Sequence, residues 1–364
     1  MNVLLISGIY PPDIGGPSTF IPGFQSFLNR QGNRVKVLSL TNDVVSSKIQ
    51  HPEVCFVSRK HKLFSRQIIT IMKIASNAFK SQVLFANGLF EETALVTFLF
   101  RRKTIYKVVG DPIWERYRNQ ISDPISIEEF NEMKLPLKFR LQRTFLRWSL
   151  EQCEEICTPS SQLSDFIKKW GVKKPVTVIA NGVPDRGFNT LTDYSNHVIT
   201  VSRLVPWKNI PKIILACHSA GLSLSVVGEG PELSVLREYA SEIGAKVTFL
   251  GSLQGERLEE ALSSSKVFCL YSDYEGLSFA LVSALMRGMF VVASDVPGNR
   301  NAIIDKFNGL LVPLNDPDGL SSALSIAISN KDFAEQIQQN ARSSAIEKYK
   351  DIKCYEKTFQ LMVN

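Results

Sequence analysis

The sequence is poor in side chains that bind metals. Its 364 residues include four histidines, and these show no ligand spacing. The six cysteines are scattered, with no two close pairs that would suggest a zinc site. We therefore expect reduced, mostly buried thiols and no metal site. These residues are His51, His61, His197, His218, Cys55, Cys153, Cys157, Cys217, Cys269 and Cys354.

Several catalytic signatures and long apolar runs are also missing. No serine lies in a Gly-x-Ser-x-Gly turn and no Walker lysine follows a glycine loop, which argues against hydrolases and P-loop enzymes. The glycines near Gly15 lack the full dinucleotide fingerprint, which argues against a nicotinamide dehydrogenase. No apolar run reaches the ~20 residues that span a bilayer. The first residues, 1–7, read as a core strand and not as a signal peptide, so we expect a cytoplasmic protein with at most peripheral contact at the inner face of the membrane.

The composition is that of an ordered globular protein. Hydrophobic residues make up 44% of the chain and charged residues 21%, with no low-complexity tract. A chain of 364 residues is expected to form two domains. The net charge of +7 favours anionic partners such as nucleotides, diphosphates or acidic lipids, although many soluble enzymes are equally basic. We expect no nucleic-acid partner and no cofactor.

Short apolar runs alternate with helix-length amphipathic runs almost from end to end. This pattern is typical of parallel sheets wrapped by helices, so the sequence predicts an α/β protein with two doubly wound, Rossmann-like domains facing a central cleft. The predicted strands are Asn2–Ser7, Arg34–Leu40, Val54–Val57, Val83–Ala86, Thr104–Val109, Ile156–Thr158, Val176–Ile179, Val198–Ser202, Ser223–Val227, Lys246–Leu250, Val267–Tyr271, Phe290–Ala293 and Gly309–Val312.

A stretch rich in turn formers, residues 181–190, separates the two halves and predicts a linker. We place the boundary at Asp185, which gives a first domain of residues 1–185 and a second domain of residues 186–345. Ligands of open α/β sheets lie at the carboxyl ends of the strands, so functional residues are expected directly after strands.

Three segments fit that expectation. Gly15 and Gly16 follow the first strand and precede an amphipathic helix, whose free N–H groups suit a phosphate; the alternative is a tight turn capped by Ser18 or Thr19. Arg203 and Lys208 follow the first strand of the second half, where both cations can point toward a ligand or simply be solvated.

The third segment is the run DYEGLSFALVSALMRG, residues 273–288, in which Glu275 and a glycine interrupt a strand-to-helix turn. It resembles the donor-sugar motif of the family 4 retaining glycosyltransferases (glycosyl transferases group 1, GT-B fold), which has two glutamates. Here the second position is Ser283. The resemblance implies that Glu275 binds the donor sugar and that Arg203 and Lys208 stabilise the diphosphate. It also implies that backbone groups at Gly276, Leu277 and Ser278 face the diphosphate, and that helix 346–364 packs back on the first domain.

Two further features left alternatives open. Asp111 follows a strand where such enzymes contact the sugar and the acceptor, and we predict it as a catalytic group; a turn-forming aspartate before Pro112 is nearly as good an interpretation. The basic amphipathic stretch 134–150 suits either the domain core, which we favour, or an anionic lipid surface.

The resemblance implies a metal-independent hexosyltransferase. It would move a sugar from a nucleoside diphosphate sugar to a sugar or lipid-linked acceptor with retention of configuration, in polysaccharide, lipopolysaccharide or glycolipid synthesis. A second hypothesis is a degenerate, weakly catalytic relative that binds a sugar nucleotide and acts as an assembly partner. Sugar-nucleotide epimerisation is less favoured, because no histidine follows a strand at the predicted site and no carboxylate set beyond Glu275 is evident.

Overall fold

The computed structural model describes residues 1–13, 15–121, 125–187 and 197–363. Contacts divide the chain into two compact units: unit 1 comprises Met1–Ala180 and Ile352–Asn364, and unit 2 comprises Asn181–Asp351. The predicted boundary at Asp185 is five residues further along. Ile14 of the glycine loop, residues 188–190 of the predicted linker and the final residue of the predicted C-terminal helix lie outside the described residues.

Unit 1 contains a seven-stranded, parallel sheet in the order β3-β2-β1-β4-β5-β6-β7. Its inner strands form because short apolar runs, bounded by turn formers, are buried on both faces of the sheet. They are β1 Asn2–Ser7, β2 Arg34–Thr41, β3 Val54–Ser58, β4 Val83–Asn87, β5 Lys103–Lys107, β6 Glu155–Thr158 and β7 Val176–Val178. The helices are α1 Gly16–Arg30, α2 Val44–Gln50, α3 Leu63–Ala78, α4 Phe90–Phe100, α5 Pro112–Gln120, α6 Ile127–Glu132, α7 Leu137–Leu150 and α8 Ser161–Lys169.

Unit 2 contains a six-stranded, parallel sheet in the order β10-β9-β8-β11-β12-β13. Its strands are β8 His197–Val201, β9 Ser223–Val227, β10 Val247–Gly251, β11 Val267–Leu270, β12 Phe290–Ser294 and β13 Leu310–Val312. A single-turn helix, Pro206–Lys208, precedes the longer ones. These are α9 Ile210–Ser219, α10 Leu233–Glu242, α11 Gly255–Ser263, α12 Phe279–Met286, α13 Pro297–Arg300, α14 Pro317–Ser329 and α15 Lys331–Tyr349. The chain ends in α16, Asp351–Val363.

All thirteen predicted strands are confirmed, with ends that move by one or two residues. The prediction of two doubly wound, Rossmann-like units is also confirmed. The strand order reverses between β1 and β4 in unit 1 and between β8 and β11 in unit 2. These two reversal points are where loops diverge and leave room for a ligand.

The C-terminal helix that is predicted over residues 346–364 is not continuous. It is broken at Lys350, which is extended and forms an isolated parallel bridge with Val183. The N–H of Asp351 donates to the Val183 carbonyl at 3.1 Å, so the backbone bonds that would continue α15 are made elsewhere. α16 then packs on α1, where the Tyr355 ring lies 5.4 Å from that of Phe20.

The thiol prediction is confirmed: all six cysteines are unbridged, and all except the half-buried Cys55 are buried. Burial raises the pKa of Cys157 to about 11, which keeps this thiol protonated at neutral pH. Among the described residues, no helix is both long and apolar enough to cross a bilayer.

Candidate active site

The strongest candidate site lies at the reversal point of unit 2, where the loops that follow β8 and β11 meet. The Nζ of Lys208 donates to Oε1 of Glu275 at 2.5 Å. Glu275 is 7% exposed, so this is a charge-assisted bond at the edge of the core, where it is stronger than at the surface. Both residues are predicted as site residues from the sequence, and in the structure they meet although they are 67 positions apart in the chain.

Asn209 fixes this meeting of the two loops. It adopts a left-handed backbone conformation, with φ of 50°, between the single-turn helix and α9. Its side-chain amide donates to the Tyr271 carbonyl at 3.1 Å and to Asp273 at 2.5 Å. The N–H of Asp273 in turn donates to the carbonyl of Trp207 at 2.8 Å. The loop that carries Lys208 is therefore bonded to the loop that carries Glu275 at three points.

The backbone of Glu275 packs closely against Gly298, at the start of α13. A Cβ atom at Gly298 would lie 1.7 Å from the Glu275 carbonyl oxygen, so only glycine permits this approach. Two residues beyond Glu275, the Leu277 carbonyl accepts a hydrogen bond from the side chain of Asn181 at 2.9 Å. Neither residue is predicted as a site residue from the sequence, because each contacts a partner far away in the chain.

The turn from Glu275 to α12 presents backbone donors. Ser278 is the N-cap of α12, and its hydroxyl accepts from the N–H of Leu281 at 3.3 Å. Within the described ranges, the N–H groups of Gly276, Leu277 and Ser278 donate no hydrogen bond. Unpaired N–H groups at a helix start suit an anion such as a diphosphate. Because Ser278 caps the helix, the Glu275 carboxylate is not needed for capping.

Arg203 lies in the loop after β8, with an exposed side chain whose guanidinium is 5.9 Å from the centroid of the buried Trp207 ring. This loop rests on the glycine turn after β9. A Cβ at Gly228 would lie 1.8 Å from the Ser202 carbonyl oxygen, and one at Gly230 would lie 2.2 Å from that of Leu204. These glycines set the path of the loop that carries both predicted cations.

Ser283 stands on α12, two turns beyond Glu275, and is half-buried. No recorded hydrogen bond among the described residues uses its hydroxyl. Its short, neutral side chain reaches less far than a glutamate and carries no charge, which limits any contact with a ligand to a weaker or water-mediated one.

In unit 1, the glycine loop follows β1 at the other reversal point. Gly15 has φ of 150° and is the N-cap of α1, with no side-chain cap, so the alternative of a Ser18 or Thr19 cap is wrong. Ser18 instead donates to the Asp13 carbonyl at 2.5 Å. Arg59 stabilises the loop by pairing with Asp13 at 2.7 Å. Gly16 opens α1 and remains a predicted phosphate contact together with Gly15.

Asp111 has a different environment from the one predicted. It is fully buried and is the N-cap of α5, where it accepts from the N–H groups of Ile113 and Trp114. Its other oxygen pairs with Arg143 of α7 at 2.7 Å. This geometry matches the alternative interpretation, a turn-forming aspartate before proline. Its role as a catalytic group stays a prediction that the structure does not favour.

Two buried polar side chains of unit 1 were not predicted. Asn87 ends β4 and Lys107 ends β5, and within the described chain neither side chain has a hydrogen-bond partner. Burial lowers the pKa of Lys107, and its Nζ lies 4.6 Å from the centroid of the Phe20 ring. The apolar run around Lys107 gave no signal that a lysine would be enclosed there.

Comparison with known proteins shows which family and which fold this chain resembles. Residues 185–344 match the family described as glycosyl transferases group 1. This match spans most of unit 2 and shows its likeness to that family of glycosyltransferases. The matched region contains Arg203, Lys208, Glu275 and Ser283, which all lie in unit 2.

Similar proteins extend the likeness to the whole chain. An uncharacterized glycosyltransferase of Methanocaldococcus jannaschii is 21% identical, with 100% of this chain and 99% of the relative covered. The alpha-monoglucosyldiacylglycerol synthase of Streptococcus pneumoniae is 22% identical, over 92% of this chain and 80% of the synthase. The structure of Anabaena HepE in complex with UDP and glucose superposes with a TM-score of 0.81 at 16% identity, covering 100% of this chain and 99% of HepE. That likeness shows the GT-B fold, with two Rossmann-like domains.

Proposed function

We propose that this glycosyltransferase moves a sugar from a nucleoside diphosphate sugar to a hydroxyl group of an acceptor, with retention at the anomeric carbon. The observation that carries the proposal is the Lys208–Glu275 pair at the reversal point of unit 2, beside three backbone N–H groups that have no acceptor among the described residues. One carboxylate and one cation next to free N–H groups match the two ends of such a donor, its sugar hydroxyls and its diphosphate.

Each group has a distinct part in this reaction. Oε1 of Glu275 holds Lys208, which leaves Oε2 to accept hydrogen bonds from the hydroxyls of the donor sugar. Lys208 and Arg203, with the N–H groups of Gly276 to Ser278, stabilise the negative charge that develops on the departing diphosphate. These cations can supply the stabilisation that a metal ion gives in other transferases, so we propose a metal-independent enzyme that needs no cofactor.

The chemical step breaks the bond between the anomeric carbon and the phosphate oxygen. A bond from the acceptor oxygen forms on the same face of the sugar, and the acceptor proton passes to an oxygen of the leaving diphosphate. The nucleoside diphosphate leaves with the electron pair of the broken bond. The named ligands of HepE, UDP and glucose, support a hexosyl donor activated by a nucleotide.

We further propose an acceptor that is a lipid or is linked to one, in glycolipid or cell-surface polysaccharide synthesis. The name of the pneumococcal relative, a synthase of a glucosyl diacylglycerol, supports this class. A lipopolysaccharide acceptor and a cytoplasmic location, at the inner face of the membrane, belong to the same proposal.

A binding and turnover screen with uridine, guanosine and adenosine diphosphate sugars tests the proposal. We expect one donor to bind and to be hydrolysed slowly without acceptor, and the anomeric configuration of the released sugar, read by NMR before mutarotation, to be retained. If no donor binds, the enzyme assignment fails. The alternative of a weakly catalytic assembly partner, suggested by Ser283, predicts weak donor binding without turnover.

A further inference from the structure

We propose that the outer face of helices α3, α4 and α7 docks this protein on an anionic lipid surface. This inference rests on the surface alone and not on the transfer reaction. Each of these helices exposes large apolar side chains that a solvated helix normally buries. We call this surface the helical face; its exposed apolar residues are Leu63, Phe64, Ile68, Met72, Phe79, Phe98, Leu99, Leu137, Leu141 and Phe145.

The three helices form one layer. In a parallel sheet with right-handed crossovers, α1 and α2 cover one side, because their strands progress in one direction from β1. The later strands progress in the other direction, so α3, α4 and α7 cover the opposite side. α4 packs against both α3 and α7. The outward sides of these helices therefore belong to the same surface of unit 1.

Two apolar ridges run along this layer. Phe64, Ile68 and Met72 repeat every four residues on α3, and Leu137, Leu141 and Phe145 repeat in the same way on α7. Residues four apart lie above one another on a helix, so each set forms a continuous ridge. Phe64, Met72 and Leu141 are 76%, 65% and 61% exposed, so the ridges project into solvent and are not seams with a neighbouring helix.

Aromatic contacts connect α4 with the two helices beside it. The Phe79 ring, at the end of α3, lies 4.6 Å from that of Phe100 in α4. The Phe98 ring of α4 lies 6.3 Å from Trp148 of α7, which stacks on Phe145 at 5.5 Å. The exposed apolar side chains of three linked helices therefore lie on one surface of unit 1, which is wider than a single surface helix offers.

The charges around the patch identify the occupant as anionic. Neither α3 nor α7 contains an acidic residue. The two acidic residues of α4, Glu91 and Glu92, lie in its first turn, away from Phe98 and Leu99 at its end. Exposed cations stand within two positions of the apolar residues of the helical face in the sequence: Lys62, Lys80, Arg101, Lys138, Arg140 and Arg147.

An apolar strip with a basic border matches the interface of a bilayer that contains acidic lipids. The apolar side chains enter the boundary between headgroups and acyl chains while the cations contact phosphates. The side chains of α7 fit both interpretations of residues 134–150, the domain core and a lipid surface. It buries Phe139, Leu146 and Leu150 in unit 1 and exposes Leu137, Leu141 and Phe145. Arg143 is used inside the unit, on Asp111, and does not belong to the basic border.

Flotation of the full chain with phosphatidylglycerol vesicles, in the absence of any sugar nucleotide, tests the proposal. We expect binding that weakens steeply with salt and is at least tenfold weaker on phosphatidylcholine vesicles. The triple variant Phe64→Ser, Met72→Ser, Leu141→Ser should lose on the order of 100-fold or more in vesicle affinity. The pair Lys138→Gln, Arg140→Gln should lose about 25-fold, from about fivefold per cation near an anionic surface.

A matched control comes from unit 2, where Val235 and Ile304 are both 63% exposed and lie outside the helical face. The variant Val235→Ser, Ile304→Ser should bind vesicles like the wild type. Circular dichroism and the unfolding midpoint verify that each variant folds. The proposal is overturned if the wild type does not bind phosphatidylglycerol vesicles, or if the triple variant binds them as well as the control does. A triple variant that alters only self-association would instead assign the face to a second copy of the chain.

Discussion

Asp111 and Glu275 are both acidic residues that follow a strand and precede a helix, yet their carboxylates make different contacts. Asp111 caps its own helix and pairs with Arg143, so both of its oxygens are used inside unit 1. In the turn at Glu275, Ser278 caps α12 and leaves the carboxylate for Lys208. Position adds to the difference, since β11 borders the reversal point of its sheet and β5 does not. A carboxylate at a strand end is available for a ligand when another residue caps the following helix.

The largest effect is expected from breaking the pair in unit 2. Glu275→Ala and Lys208→Ala should each lower kcat/KM by about 100- to 1000-fold, because each removes a charged contact that the transition state needs. Initial rates with the donor identified in the screen measure this. Lys168→Ala is the control, since it breaks an exposed ion pair with Asp165 and should leave the rate unchanged. Equal rates for all three variants would show that Lys208 and Glu275 take no part in the reaction.

Gly298→Ala tests whether the placement of Glu275 matters as well as its charge. The added Cβ would lie 1.7 Å from the Glu275 carbonyl oxygen, so this backbone must move. A displacement of about 1 Å at a reacting centre costs about 100-fold, and we expect a loss of that order in kcat. Gly244→Ala is the control. Gly244 has a positive φ of 67°, so alanine is strained there, but no atom lies within 4 Å of the new Cβ. If both variants retain activity, the close approach is without functional effect.

Asp111→Asn tests whether the carboxylate of Asp111 stabilises unit 1 and has no part in catalysis. Asparagine can still cap α5, but it loses the charge that Arg143 pairs with. We expect the free energy of unfolding to fall by about 2 to 3 kcal/mol, because Arg143 is left partly buried without its counter-charge. Activity per folded molecule should change by less than about threefold. Urea unfolding and kinetics on the same sample separate the two effects. A large loss of kcat with an unchanged free energy of unfolding would support the prediction that Asp111 is a catalytic group.

Ser283→Glu should have the smallest effect and the opposite sign. A carboxylate at this position of α12 restores the second glutamate of the family motif and a charged hydrogen bond worth about 1.5 kcal/mol or more. Donor affinity should rise by about tenfold, as measured by titration calorimetry with the nucleoside diphosphate sugar. Ser283→Gln is the neutral control and should gain less. An unchanged dissociation constant for both variants would show that the donor does not reach α12 at this position.

Much of the fold could be predicted because parallel strands buried on both faces leave uninterrupted apolar runs between turn formers. Lys208 and Glu275 could be predicted because each directly follows such a run. The roles of Gly298, Asn181 and Arg143 depend on partners 23 to 96 positions away, which local patterns do not encode. The Asp-Pro pair at 111–112 did carry a local signal, since aspartate before proline is typical of a helix start.

The central claim is that the Lys208–Glu275 turn binds the donor, and calorimetric titration of the nucleoside diphosphate sugar into wild type, Lys208→Ala and Asp111→Asn tests it most directly. We predict that the wild type and Asp111→Asn bind with the same affinity and that Lys208→Ala binds at least 30-fold more weakly, a difference of about 2 kcal/mol. Equal affinity for wild type and Lys208→Ala, or a loss confined to Asp111→Asn, would contradict the account.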